Sequence, residues 1–505
     1  MRAILVAGLM TMLMVSGCLS DDTPDPEPTT NDDVMGGPAG QTVTVDGKEA
    51  TVKNGKVVVN GTEIELDLVP MQFNTSQFNF RASEPNIGIT SSGCVFMTAM
   101  EKVMRSCDKL ATWESVEQIP ACQPTTSDPY LWVDPVTDRI FNVQMVVLVG
   151  TWICWSDDDG ETWLGNPYDQ GPTPVNDHIK LATGPYAPGG YGLVGVGAEL
   201  VYPQATYFCY NKLVGVFCYT SFDGGMTFPV GGQIIGLAST AGGLHGSITT
   251  APDGTVYVPV RTDNPVLVSS KDSGLTWTST TVGSDVGTPN PRKNAEIGTD
   301  TESNAYQTWI GGDNRVYLSR STDSGSSWDA VSIPVSPEAV ISSTFPHIDA
   351  GSPGRIAIAY LGSEDADLLG TEDIDGNAWG GNPHYAPRTT QYHMYVTYSL
   401  NALDETPVFQ TVRVSEDPVQ VGSICISSGD CRSNDGGSNR NLLDFNDLHF
   451  DNEGRVFVAY ADGCTGDCAT SEAPTADMSR SALGTVSVLS VGPSLYADVD
   501  NFTGY

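Results

Sequence analysis

The chain has 505 residues, with 61 acidic against 24 basic side chains and a net charge of −37. A polyanion of this strength repels nucleic acid and anionic lipid heads, which excludes a nucleic-acid-binding role. High acidity with little lysine fits a surface that stays soluble in salty water; a cation-binding surface would have the same composition.

Arg2 is followed by AILVAGLMTMLMV, an apolar stretch too short to span a bilayer, and then by Val15-Ser16-Gly17-Cys18. Residues 1–17 read as a lipoprotein signal peptide, cut before Cys18 so that its thiol can take diacylglycerol. An ordinary secretory peptide with a chance cysteine is the alternative. Residues 18–40 are too polar and too rich in Pro and Asp to fold, and read as an acidic tether. The expected location is the cell surface, with the membrane met only through the N-terminal lipid. Residues 41–75 alternate apolar and polar side chains around DG and NG turns, which reads as a small β-hairpin unit docked on the domain at 76–505 or completing one of its sheets.

Within that domain one motif recurs: a serine, an aspartate two residues on, and an aromatic seven residues after the serine. It reads SCDKLATW from Ser106, SDDDGETW from Ser156, SFDGGMTF from Ser221, SKDSGLTW from Ser270 and STDSGSSW from Ser321, with a blurred copy, SLNALDETPVF, from Ser399. The clear copies lie 50, 65, 49 and 51 residues apart, a period that belongs to four-stranded propeller blades rather than helical solenoids. Asp108, Asp158, Asp223, Asp272 and Asp323 are expected to accept hydrogen bonds from their own turns. Gly160, Gly225, Gly274 and Gly325 would supply positive φ, and Trp163, Trp277, Trp328 and Phe228 would anchor each turn to its sheet. Such groups are structural.

Seven apolar strand starts follow along the chain, at 84–99, 128–144, 176–210, 245–260, 295–310, 346–360 and 446–460. The expected fold is therefore all-β: a propeller of four-stranded antiparallel blades, seven in number, with a six-bladed ring and one irregular excursion as the alternative. Setting aside Cys18, ten of the eleven cysteines remain, an even number suited to disulfides outside the cell. Cys209 with Cys218, Cys425 with Cys431 and Cys464 with Cys468 would close local loops. The connectivity of Cys94, Cys107, Cys122 and Cys154 stays open.

The repeated motif resembles that of the Asp-box, or BNR-repeat, proteins, which include the sialidases. Segments VNDHIKLATGPY (175–186), GGLHGSITTAPDGTVYVPVR (242–261) and RNLLDFNDLHFDNEGRVFVAYADGC (440–464) are similar to secreted bacterial and archaeal sialidase-like propellers. The resemblance covers roughly residues 80 to 495 and implies the fold more firmly than an activity. It implies, for an active sialidase, three arginines gripping the substrate carboxylate, a tyrosine nucleophile activated by a glutamate, and an aspartate as general acid. The first arginine should stand in an F/Y-R-I-P segment, but here Phe80-Arg81 is followed by Ala82-Ser83-Glu84-Pro85. Arg261, Arg292 and Arg440 could still point inward, while Tyr257, Tyr306 and Tyr360 read as strand packing. Whether the chain is an enzyme stays open at this point.

Because the first strand of each blade lines the channel, polar residues at those strand starts should converge on one mouth. The ligand-binding candidates are Glu84, Asp128, Asp177, His178, His245, Glu296, His347 and Asp447, with Arg261 and Arg440. One insertion, 364–393, is long and rich in acids and aromatics. In it Asp373, Asp375 and Asn377 around Gly376 partly resemble a calcium loop, so calcium is a possible cofactor and no other is indicated. Trp379, Tyr385 and Arg388 could form a contacting edge. The reading is a monomeric, lipid-anchored extracellular propeller recognising a glycan or peptide, with a sialidase-type exo-glycoside hydrolase second and an envelope scaffold third.

Overall fold

The computed structural model describes residues 41–505 except 54–55, 60–61, 65–67, 101, 123–128, 147–149, 169–175, 189–200, 237–243, 261, 289–294, 374–375, 426–432, 435–436 and 480, together with the backbone of 29–30 and 35–36. Seven antiparallel sheets, called blades 1 to 7 below, follow one another round a central channel. Their innermost strands are Ile87–Ile89, Tyr130–Val133, Asn176–Gly184, Thr249–Thr250, Glu296–Thr299, Ser342–Ala350 and Asp447–Phe450. Each inner strand touches the next, and the seventh touches the first, so the ring is closed.

Blades 2 to 5 are plain four-stranded meanders, whereas blades 1, 6 and 7 carry further strands. Gln72–Arg81 pairs antiparallel with Leu483–Gly492 on the outer side of blade 7, so that a strand from before blade 1 completes the last sheet. Gln41–Val45 extends blade 6 by pairing with Val408–Arg413. A separate small sheet is formed by Thr51–Lys53, Lys56–Val59 and Thr62–Ile64.

Packing explains why most blade strands are buried on both faces instead of alternating. Each of the seven gaps between neighbouring blades holds its own apolar cluster. In the gap between blades 2 and 3, Phe141, Val143 and Trp155 meet Leu181, Phe208 and Tyr210. The gap between blades 6 and 7 is filled by Tyr392, Val396 and Tyr398 against Leu448, Val458 and Tyr460. Full burial of a large apolar side chain contributes about 1.5–3 kcal/mol, so these gaps carry most of the stability.

The repeated turns have one hydrogen-bond pattern. Asp272 Oδ1 accepts from the Thr276 N–H at 2.9 Å, its Oδ2 from the Thr276 hydroxyl at 2.5 Å, and the Ser270 hydroxyl donates to Oδ1 at 2.7 Å. The same bonds recur at Asp108, Asp158, Asp223 and Asp323. Four of the five turns place a glycine at positive φ; the first places Leu110 there, at φ 64°.

Disulfides join Cys94 to Cys107, Cys122 to Cys154, Cys209 to Cys218 and Cys464 to Cys468. Cys425 is also disulfide-bonded, while Cys431 lies outside the described residues, as does Cys18. Among the described residues no helix is long and apolar enough to cross a membrane.

Candidate functional site

Three layers of side chains occupy the channel, because alternate residues of an inner strand share a face. In the middle layer, six blades each contribute one polar group: Tyr130, Lys180, Ser247, Glu296, His347 and Asp447. Lys180 is only 1% exposed, and its ammonium lies 3.3 Å from the centre of the Phe445 ring and 4.6 Å from that of Tyr130. Burial pushes its pKa down, opposed by the charges of Glu296, Glu84, Asp447 and Asp444. Glu296 accepts the Ser247 N–H at 2.7 Å, and burial, partly offset by Lys180, lifts its carboxyl to about 7. Burial, together with Asp447 and Glu296, drives the Tyr130 phenol well above its ordinary range.

Asp447 ties this layer to the next. Its Oδ2 accepts the Ile87 N–H of blade 1 at 2.8 Å, and its Oδ1 lies 3.1 Å from His347 Nε2 and 3.7 Å from His449 Nε2. His449 Nδ1 stands 3.2 Å from Asp349. Burial alone would depress His449, but Asp447 and Asp349 outweigh it and raise the imidazole to about 9. Burial wins at His347, which falls to about 4 despite Asp447. Two histidines whose rings are 5.8 Å apart thus differ in charge at neutral pH.

Beyond this layer, toward the ends of the inner strands, the channel opens into a cavity of about 310 Å³. Trp132, Tyr496, Asp349, His449 and Asp451 line it, with Thr249, Thr250 and Thr299 between them. Trp132 meets His449 edge-on at 5.4 Å and donates its indole N–H to the Thr183 hydroxyl at 2.9 Å. Among the described residues lining the cavity there is no lysine or arginine.

At the opposite end, where the inner strands begin, Glu84, His178 and Asp444 come together, with ligand-capable atoms all within 4.8 Å of one another. Arg440 grips Asp444 by both oxygens, at 2.5 and 2.6 Å, and also donates to the carbonyls of Cys425 and Leu443.

The expected single mouth is therefore divided between two ends and a plugged middle. Glu84 and His178 stand at one end, Glu296, His347 and Asp447 in the middle. His245 is wholly buried, its Nδ1 donating to the Gly246 carbonyl at 2.7 Å, and burial with the neighbouring His178 takes its pKa to about 3. It forms wall, out of a ligand's reach. Asp177 accepts the N–H of His178, and Arg440 is committed to Asp444. Arg81 is exposed at the end of the strand on the outer side of blade 7. Asp128 and Arg261 lie outside the described residues, as does Asp375. Asp373 closes its own turn, accepting the Asn377 backbone and side-chain N–H groups at 2.8 and 2.9 Å. Trp379 is buried in the cluster between blades 6 and 7 and offers no edge to a ligand.

Lys180, Asp349 and His449 were not among the sequence candidates; Asp349 and His449 each stand two residues after one of them and so on the same face of the strand, whereas an irregularity between Asp177 and Lys180 interrupts that alternation at His178. Trp132 and Asp444 carried no comparable signal.

No family model and no curated protein matches the chain. Among solved structures it is similar to YCF48 from Cyanidioschyzon merolae, at TM-score 0.45 and 11% identity over 83% of this chain and 98% of that one. It is similar to an ancestral GH74 enzyme at TM-score 0.42 and 11% identity, over 79% of this chain but only 46% of the other. The leech intramolecular trans-sialidase follows at TM-score 0.38 and 11% identity, over 56% and 65%. The chain thus spans less than half the length of the GH74 enzyme, and these likenesses carry no argument about the site.

Proposed function

We propose that the chain is a recognition propeller whose cavity at the strand-end side of the channel binds a neutral glycan. The observation that carries this reading is the lining itself. The faces of Trp132 and Tyr496 suit the C–H surface of a pyranose, while Asp349, Asp451 and His449 offer hydrogen-bonding partners for its hydroxyls. A carboxylated sugar is disfavoured, because the imidazolium of His449 is already matched by Asp349 and Asp447, and Asp451 adds further negative charge to the lining. A sialidase-type hydrolase is the lesser reading: a nucleophilic phenol needs a lowered pKa, and Tyr130 is pushed the other way.

The test is calorimetric titration with neutral and with sialylated oligosaccharides, alongside fluorogenic sialosides. Binding of neutral glycan that is lost in Trp132→Ala supports the reading, whereas sialoside turnover overturns it. We further propose that the disulfides reflect an oxidising exterior and that Cys18 carries the lipid holding the propeller at the cell surface. Cys18→Ser should release the protein into the medium; mass spectrometry finding an unmodified mature N-terminus would remove the anchor.

A further inference from the structure

We propose that Glu84, His178 and Asp444 bind a divalent transition cation of the zinc class at the end of the channel remote from the aromatic cavity. This does not depend on the glycan reading. The donor set is one imidazole nitrogen and two carboxylates, the mixture that suits zinc or cobalt better than calcium. Bonds of about 2.0–2.2 Å in a tetrahedral site put ligand atoms roughly 3.3–3.6 Å apart. His178 Nε2 and Asp444 Oδ2 already stand 3.7 Å apart, and all three donors lie within 4.8 Å, so closure asks for side-chain adjustments of about an ångström.

The imidazole supplies the independent sign. His178 Nδ1 lies 3.1 Å from the carbonyl oxygen of His245, which can only accept, so Nδ1 carries a hydrogen. In the neutral ring Nε2 is then a bare lone pair. It is buried, has no hydrogen-bond partner, and points at a carboxylate oxygen. Two acceptors facing each other in a buried site call for a donor or a cation between them, and a metal ion held by the imidazole and both carboxylates fills that role. The surroundings resemble those of a ligating set: a backbone carbonyl orients the histidine, and Arg440 fixes Asp444 by both oxygens. The positive charge of Lys180 does not close the site, because Glu296 and Asp447 face it as well.

The experiment uses the purified full chain, stripped by chelator and dialysed, then titrated with Zn²⁺ by calorimetry and with Co²⁺ by visible absorption. One equivalent should bind, with cobalt bands of nitrogen–oxygen coordination. His178→Gln should abolish binding, and Glu84→Gln, which keeps the shape of the side chain, should abolish or sharply weaken it. Arg440→Gln should weaken it by about 10–100-fold, as loss of an outer partner does. Circular dichroism of each variant verifies the fold. Absence of stoichiometric binding would overturn the proposal, and nitrogen NMR finding His178 protonated on both nitrogens at pH 7 would then assign the cation as a proton. Binding undiminished in both His178→Gln and Glu84→Gln would overturn it equally, by placing the metal elsewhere.

Discussion

Replacing Lys180 by methionine would remove a buried charge while keeping an unbranched side chain of similar length between the rings of Tyr130 and Phe445. Breaking a buried ion pair from one side costs about 3–5 kcal/mol, because the remaining charges lose their compensation. Here those charges are Glu296 and Asp447, with Glu84 and Asp444 further contributors. The cation–π contacts, worth about 2 kcal/mol when desolvated, overlap with that figure and are not added to it.

The expected loss is therefore about 3 kcal/mol or more above pH 8, read from urea unfolding. Glu296 sets its pH dependence. A carboxyl raised from 4.5 to about 7 contributes its stability below 4.5 and loses it as pH rises through 7. Without Lys180 that carboxyl rises further and takes up a proton at neutral pH, so the variant should be penalised less at pH 5.5 than at 8.5. Glu296→Gln added to Lys180→Met should recover much of the deficit at pH 8.5. A single variant within about 0.5 kcal/mol of wild type at that pH, the range of an ordinary surface change, would refute the reasoning. A deficit independent of pH would do the same.

Asp272→Ala, which deprives the turn of its acceptor, should cost about 1–3 kcal/mol in urea unfolding and leave ligand affinity of the folded fraction unchanged. His449, raised from 6.5 to about 9, contributes stability that is complete below 6.5 and lost as pH climbs through 9. Asp349→Asn should therefore lower its NMR titration midpoint and flatten wild-type stability between those values. Cys122→Ser combined with Cys154→Ser opens a link spanning 32 residues and should lower stability by about 2–4 kcal/mol, measured by denaturant midpoint under oxidising conditions.

The parts of this fold that could be read from the chain are those made by residues close together in it. The Ser-x-Asp turns complete their hydrogen bonds within seven residues, and Cys209 with Cys218, or Cys464 with Cys468, close across a single turn or hairpin. The site is harder to read because its members come from different blades. Nothing near His178 in sequence announces that Asp444 will face it, and nothing near Lys180 announces Phe445. The strand starts were a sound guide to which residues approach the axis, but not to their height along it. His245 began a blade by pattern, yet bonding to Gly246 and burial against blade 3 withdraw it into the wall. The strand pairing of 72–81 was equally hidden, since its partner lies at the other end of the domain.

That last pairing sets the order in which the molecule can be assembled. Thr75 and Ser487, whose hydroxyls meet across it, are 412 positions apart, so blade 7 cannot receive its outer strand until nearly the whole chain has emerged. Until then, strand 72–81 must wait with one side unpaired, and the apolar gap between blades 7 and 1, where Phe78 meets Trp113 and Val486, stays open to solvent. Non-local closure of this kind is slow, and an unpaired strand is a template for joining the wrong chain. A nascent or truncated form ending before residue 483 therefore lacks the strand that joins 72–81 to 456–462 and leaves each with an unpaired, adhesive edge.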